Sequence, residues 1–283
     1  MIDTGFLKEL DRFNIILKKR VLSNYQGERH SHAQGQGLVF ADYKDYVPGD
    51  DFRKIDWRVY ARTDKLYIKK HEEERDLSVH VIVDASASMN FGRKITKFEY
   101  ASMIGTGFAY MALRSNEKFN FSTFAEELTY FKARRGLNQL LGIIERLDKL
   151  KIDGMSKFNS SMEEYKKYMK SKSFIVIISD FLYDLEEIRL VLSRFSKHEV
   201  IAIQVLDPDE RKLALYGDVL LEDSEIHTKL RTFISNRLLK GYRDKIEQHI
   251  YAVKDVCEKA GVDFISITTD RPVFEAFYNA LRA

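Results

Sequence analysis

The chain has 283 residues, of which 45% are hydrophobic and 31% are charged, a balance typical of globular proteins. Its net charge of +3 is too small to indicate a nucleic-acid partner by itself. No apolar run approaches the ~20 residues that cross a bilayer, and no signal peptide is visible. A single cysteine, Cys257, excludes an internal disulfide framework. We therefore expect a cytoplasmic protein with no membrane span.

The first 76 residues predict two segments of different character. Residues 1–36 are predicted to form an amphipathic helix followed by a polar loop. Residues 37–76 are predicted to form a small antiparallel β subdomain with a turn at Pro48-Gly49-Asp50. Apolar and polar residues alternate over residues 55–62, which is the period of a half-buried strand.

Charged residues are concentrated in this β subdomain. A candidate partner surface consists of Asp50, Asp51, Arg53, Asp56, Trp57 and Arg62. The alternative is that these charges pair with one another across the sheet and only stabilise it.

From residue 77 onward the pattern changes to strands that alternate with helices. Apolar runs at residues 77–83 and 174–179 predict buried parallel strands. The alternation predicts an α/β fold over residues 77–283, with a mostly parallel, doubly wound sheet. A candidate β-hairpin at residues 218–234 would join the β subdomain.

The first core strand ends in a short polar motif, Asp84-x-Ser86-x-Ser88. Open α/β sheets bind their ligands at the carboxyl ends of parallel strands. One carboxylate and two hydroxyls at such a place supply hard oxygen ligands, which suit Mg²⁺ or Mn²⁺.

This motif resembles the metal-ion-dependent adhesion site of von Willebrand factor type A domains. In that family a second loop supplies a Thr, and a later strand end supplies an Asp. Here Asp180 follows a second apolar run, and Ser156 lies where the family has its Thr. The resemblance implies that Ser86, Ser88 and Ser156 bind the metal directly, while Asp84 and Asp180 act through water. One coordination position would then take a carboxylate from a partner protein.

These assignments have competing interpretations. Asp84 could be a helix N-cap, although the next predicted helix begins well after it. Asp180 or Asp184 could cap the helix that is predicted to follow them. Ser160 and Ser161 are alternatives for the Thr position, although both are predicted to lie within a helix.

A longer upstream stretch carries a more specific signature. It combines Tyr46-Val47-Pro48-Gly49-Asp50-Asp51, Arg53-Lys54-Ile55-Asp56-Trp57 and Ala61-Arg62, and the tail Ile267-Thr268-Thr269-Asp270-Arg271-Pro272 accompanies it. The pattern resembles the uncharacterised bacterial and archaeal family called domain of unknown function 58, from about residue 26 to the end. Such proteins are often encoded beside MoxR-type AAA+ ATPases, so the resemblance implies an ATPase of that type as partner.

Three functions are compatible with these patterns. The leading one is a non-enzymatic, metal-dependent interaction module that acts with a MoxR-type ATPase in complex assembly or chaperone-like maturation. The enzymatic alternative is a metal-dependent phosphatase or hydrolase with Asp84 as nucleophile, for which no hydrolase elbow or Walker motif is present. The third is nucleic-acid binding through the predicted strand from Arg53 to Arg62, against which the interleaved aspartates argue.

Overall fold

The computed structural model describes residues 5, 39–72, 78–134, 136–169, 171–213, 217–222 and 228–280. Apart from residue 5, the helix and polar loop predicted for residues 1–36 lie outside the described residues. The described chain divides into two compact units, one over residues 39–72 and the other from residue 78 onward.

The first unit is a pair of antiparallel strands with a helix in the connection between them. Strand β1 (Val39–Asp45) pairs with β2 (Tyr67–Glu72). A short 3₁₀ helix (Phe52–Lys54) and helix α1 (Trp57–Thr63) lie between them in the chain. The small antiparallel sheet is therefore confirmed, but the strand predicted for residues 55–62 is wrong.

Local capping explains why this segment is helical. The Asp56 carboxylate accepts a hydrogen bond from the Arg58 backbone N–H at 3.0 Å, as an N-cap does. The hydroxyl of Thr63 donates to the Val59 carbonyl at 2.9 Å, and Asp64 ends the helix in the left-handed conformation. No residue of α1 is buried, so the apolar alternation did not mark a buried strand face.

The second unit contains the remaining elements. In chain order they are β3 (Ser78–Asp84), α2 (Lys97–Arg114), β4 (Lys118–Phe124), β5 (Leu128–Arg134), α3 (Leu137–Lys149), α4 (Phe158–Tyr165), β6 (Ser173–Ser179), α5 (Leu185–Ser193), β7 (Glu199–Leu206), α6 (Pro208–Lys212), β8 (Gly217–Glu222), β9 (Lys229–Ile234), α7 (Asn236–Lys259), β10 (Asp263–Thr268) and α8 (Val273–Ala280). Six strands form one sheet in the order β10-β7-β6-β3-β4-β5. Neighbouring strands are parallel except for β4 and β5. The predicted Rossmann-like α/β fold with a mostly parallel sheet is confirmed.

The strand order reverses between β3 and β6. After β3 the chain continues to β4 and β5 on one side, and it then crosses to β6, β7 and β10 on the other. Ligands of open α/β sheets bind at such a switch point, outside the carboxyl ends of the strands. The ends of β3 and β6, where Asp84 and Asp180 lie, are therefore neighbours at this position.

Two apolar layers cover the sheet. Val79, Val81 and Val83 of β3 pack in the layer formed with α2, α3 and α8. Ile82 packs in the opposite layer, with α4, α5 and α7. Cys257 is fully buried in this second layer and carries a free thiol.

Outside the large sheet, β8 and β9 pair antiparallel with each other. Their predicted junction with the β subdomain stays a prediction. Within the described part of the chain, none of the helices combines the length and the apolar character needed to cross a membrane.

Gly105 marks a close approach of α2 to the sheet. A Cβ there would lie 2.8 Å from Val81 Cγ1 and 3.1 Å from ring carbons of Phe121. We expect Gly105→Ala to lower the free energy of unfolding by about 1–3 kcal/mol because the added methyl group overpacks the core. The control is Gly142→Ala in α3, where a Cβ meets nothing within 4 Å and a gain of about 0.4–1 kcal/mol is expected. Equal effects in urea denaturation would contradict the close approach.

Candidate functional site

The loop after β3 gathers the residues of the first motif. Asp84 is fully buried, and its Oδ1 accepts a hydrogen bond from the Ser86 backbone N–H at 2.9 Å. A 3₁₀ helix (Ala87–Asn90) follows directly. The hydroxyls of Ser86 and Ser88 lie 3.2 Å apart, so the motif folds into a compact group of oxygen atoms.

The loop after β6 adds Asp180 to this group. Its Oδ2 accepts a hydrogen bond from the Ser88 hydroxyl at 2.7 Å, across 92 residues of sequence. Its Oδ1 accepts the Leu182 backbone N–H at 3.3 Å. The structure therefore brings Asp84, Ser86, Ser88 and Asp180 into one cluster at the switch point.

Neither of these aspartates is the cap of a helix. The N-cap of α5 is Asp184, whose carboxylate accepts the Glu186 backbone N–H at 2.8 Å. The N-cap of α2 is Thr96, which forms a capping box with Glu99. The oxygens of Asp84 and Asp180 instead serve contacts within the cluster.

Tyr183 also belongs to the cluster, although the sequence analysis did not identify it. Its hydroxyl donates a hydrogen bond to Asp84 Oδ2, which also accepts the Ser179 hydroxyl at 2.7 Å. The ring stacks on Phe158 with centroids 4.6 Å apart, which fixes the position of the hydroxyl. The available sequence signal was its place three residues after Asp180, in the same loop.

Ser156 reaches the cluster indirectly. Its hydroxyl lies 2.8 Å from the hydroxyl of Tyr183, and that hydroxyl contacts Asp84. The Ser156 loop is tied to the first loop because the Ala87 backbone N–H donates to the Gly154 carbonyl at 2.9 Å. Gly154 has a φ of 86°, a left-handed conformation that favours glycine. The second loop thus lies beside the first, while direct metal binding by Ser156 stays a prediction.

Lys97 is the second residue that sequence reasoning missed. It is the first residue of α2, and its side chain is fully buried. Its Nζ lies 2.9 Å from Asp180 Oδ2 and 2.9 Å from Glu210 Oε1. The helix dipole disfavours a cation at a helix N-terminus, so the two carboxylates must stabilise this one. A lysine at the start of an otherwise apolar helix was the available signal.

Burial and neighbouring charges shift the pKa values of the cluster. Burial, followed by the charge of Asp180, raises the pKa of Asp84 to about 6, against hydrogen bonds from Tyr183 and Ser86. Burial also acts on Asp180, but the Lys97 ammonium outweighs it and holds the pKa of Asp180 below its usual value. The pKa values of the two aspartates are therefore shifted in opposite directions.

The charge of the cluster suits a divalent cation. Three carboxylates (Asp84, Asp180 and Glu210) and one ammonium (Lys97) give a net charge of −2 when all are ionised, since three negative charges meet one positive charge. The paired serine hydroxyls add hard oxygens, which Mg²⁺ prefers. The residues thus fit such an ion in charge and in donor type. Over the described residues, no group of three or more His, Cys, Asp and Glu side chains is arranged to hold a metal, and the candidate ligands include only two side chains of those types.

The aspartates of the candidate partner surface have local structural contacts in the first unit. Asp50 forms an ion pair with Lys44 at 2.9 Å. Asp51 accepts the Arg53 backbone N–H at 3.1 Å and caps the 3₁₀ helix, while Asp56 caps α1. These contacts account for the acidic residues of the motif without a partner.

The other residues of that surface are exposed. Trp57 is 58% exposed, and Arg53 and Arg62 are exposed as well. They lie on the 3₁₀ helix and on α1, so the strand predicted for this segment is wrong. Their role as a partner surface stays a prediction.

The chain matches one protein family and is similar to several uncharacterised mycobacterial proteins. The family described as "Protein of unknown function DUF58" matches residues 42–251. The uncharacterised protein Rv1480 of Mycobacterium tuberculosis is 25% identical over 274 residues, which cover 95% of this chain and 86% of that protein. An uncharacterised protein of Mycobacterium avium is 31% identical over 102 residues, 36% of this chain and 60% of that protein.

Several solved structures are similar in fold. An aerotolerance-related membrane protein from Bacteroides fragilis has 12% identity and a TM-score of 0.48, covering 73% of this chain and 98% of that one. The SpRpn10 VWA domain has 13% identity and a TM-score of 0.44, covering 72% and 95%. The manganese-loaded TRAP protein of Plasmodium vivax has 16% identity and a TM-score of 0.34, covering 45% and 57%. What these proteins bind is a property of those proteins alone.

Proposed function

The chain belongs to the DUF58 family, and we propose that its second unit is a metal-dependent protein-interaction module. The proposed ion is Mg²⁺ or Mn²⁺, and its proposed ligands are Asp84, Ser86, Ser88, Ser156 and Asp180. The observation that supports this most is the 2.7 Å contact between Ser88 and Asp180. It joins two loops at the switch point of the sheet, within a buried cluster that has an excess of negative charge.

The proposed residues divide into two roles. Ser86 and Ser88 would bind the ion through their hydroxyl oxygens. Asp84 and Asp180 would contribute negative charge through bound water. The ion would supply a positive centre for a carboxylate, because Mg²⁺ keeps waters that an incoming oxygen ligand can replace. A Glu or Asp of a partner protein is the proposed occupant of that position.

The surroundings of Asp84 support binding rather than hydrolysis. Its Oδ1 accepts the Ser86 N–H, and its Oδ2 accepts the hydroxyls of Ser179 and Tyr183. A nucleophilic carboxylate must reach its substrate, whereas this side chain is fully buried and hydrogen-bonded at both oxygens. We therefore propose a non-enzymatic module.

The proposed partner is a MoxR-type AAA+ ATPase, acting with this protein in complex assembly or chaperone-like maturation. Family membership supports this choice through the resemblance described above. The proposed chemistry requires that the ATPase present an accessible carboxylate to the cluster.

The test is binding of a MoxR-type AAA+ ATPase from the same genome, measured with Mg²⁺ and with EDTA. We expect EDTA or Ser88→Ala to weaken binding by roughly 10–100-fold, the usual scale for disturbing a metal site. The matched control is Ser193→Ala at the end of α5, where an exposed hydroxyl donates to the Leu190 carbonyl at 2.7 Å, away from the cluster. Binding that is equally tight in EDTA, or unchanged in Ser88→Ala, would contradict the proposed function.

A further inference from the structure

Lys97 supplies a positive charge that the proposed function does not use. Its buried Nζ contacts Asp180 Oδ2 at 2.9 Å. The same oxygen accepts the hydroxyl of Ser88 at 2.7 Å. The ammonium therefore lies at the carboxylate oxygen that also faces the serine pair.

We propose that Lys97 is an internal counter-ion that competes with the divalent ion for Asp180 and thereby lowers the metal affinity of the site. This inference rests on the proposed function. An ion held beside Ser88 and Asp180 would lie close to the Lys97 ammonium, where little water separates the two positive charges. Repulsion between buried like charges is strong because screening is weak.

Glu210 lets the chain keep this lysine buried in both states of the site. It contacts Lys97 Nζ at 2.9 Å and belongs to the capping box that begins α6, in which its carboxylate accepts the Asp207 backbone N–H. When an ion draws on the charge of Asp180, Lys97 retains its contact with Glu210. The ammonium is then never left without a carboxylate, so Lys97 lowers the metal affinity of the site without being a ligand.

The test is a calorimetric titration of the purified protein with Mn²⁺ alone, which measures the dissociation constant for the ion. Lys97→Met keeps a long apolar side chain and removes the charge, and we expect its dissociation constant for Mn²⁺ to fall tenfold or more. The double variant Lys97→Met/Glu210→Gln removes one charge of each sign, so the metal-free net charge equals that of the wild type. Gln can replace Glu in a capping box, so this variant keeps the test usable if the single variant does not fold.

The double variant also separates competition from overall charge. Competition at Asp180 predicts that it binds Mn²⁺ more tightly than the wild type, whereas a pure net-charge effect predicts equal affinity and would overturn the inference. Unchanged or weaker binding in both variants, beside clear binding by the wild type, would also overturn it and leave the proposed function intact. Absence of binding in all three proteins would overturn both proposals. Binding by the variants but not by the wild type would support the inference most strongly.

Discussion

Metal-free Asp84→Asn protein is expected to be more stable than the wild type, by up to about 3 kcal/mol at pH 8. The pKa of Asp84 is raised from 3.8 to about 6, and roughly two units correspond to about 3 kcal/mol. Asn has nearly the same shape and cannot ionise. It can still accept the Ser86 N–H, and the hydroxyls of Ser179 and Tyr183 can rotate to suit it.

The stability difference between Asp84→Asn and the wild type should depend on pH. Because the folded pKa is raised, protonated Asp84 stabilises the wild type fully below pH 3.8, and this contribution is lost as the pH rises through about 6. The advantage of Asp84→Asn should therefore be small near pH 4 and should grow until about pH 7. Asp153→Asn, at a half-exposed loop residue, is the control and should stay within about 0.5 kcal/mol of the wild type.

Saturating Mg²⁺ is expected to make the wild type more stable than Asp84→Asn, the reverse of their order without metal. An ion at ~100 times its dissociation constant adds about 2.7 kcal/mol to the free energy of unfolding of the protein that binds it. Asp84→Asn should gain little, because the substitution removes a charge of the proposed site. Thermal melts from pH 4 to pH 8, in EDTA and in Mg²⁺, measure both effects. Identical melts in EDTA at pH 8 would contradict a buried ionised carboxylate at this position. A full Mg²⁺ response in the variant would contradict the metal role.

Asp180→Ala is expected to lower the free energy of unfolding by about 3 kcal/mol. The substitution breaks a buried ion pair with Lys97, and such losses cost about 3–5 kcal/mol. We expect the lower end because Glu210 still contacts the ammonium. Ser88 also loses its acceptor.

The control for Asp180→Ala is Asp184→Ala, which removes another aspartate of the same loop four residues later. It removes the N-cap of α5, for which about 1 kcal/mol is the usual loss. Urea denaturation of both variants without metal makes the comparison. A larger loss for Asp184→Ala would show that helix capping outweighs the buried ion pair in this loop.

Sequence alone placed the strands that carry the candidate site. The runs ending at Val83 and Ser179 are apolar almost throughout, and a strand buried on both faces requires such a run. The aspartates that interrupt these runs therefore had to lie at strand ends. Residues 55–62 also had a clear period, yet the N-cap at Asp56 decided their structure. A helix cap depends on one side chain, so the alternation of apolar and polar residues does not reveal it.

The contacts inside the cluster were beyond sequence reasoning for a different reason. Lys97 meets Asp180 across 83 residues, and Tyr183 meets Asp84 across 99. Neither contact affects a periodic pattern, because each depends on how the loops lie at the ends of the strands. Hydrophobic patterning predicts which residues lie inside, but it does not predict which buried polar groups bind each other.

The buried thiol of Cys257 makes the folded chain unreactive toward thiol-alkylating reagents. Burial raises the pKa of Cys257 to about 12, and alkylating reagents attack the thiolate rather than the thiol. Since the chain has no other cysteine, the rate of alkylation reports how often α7 detaches from the sheet. Labels can be attached to introduced cysteines on the surface while Cys257 stays in place, and α7 then carries a native reporter of its own opening.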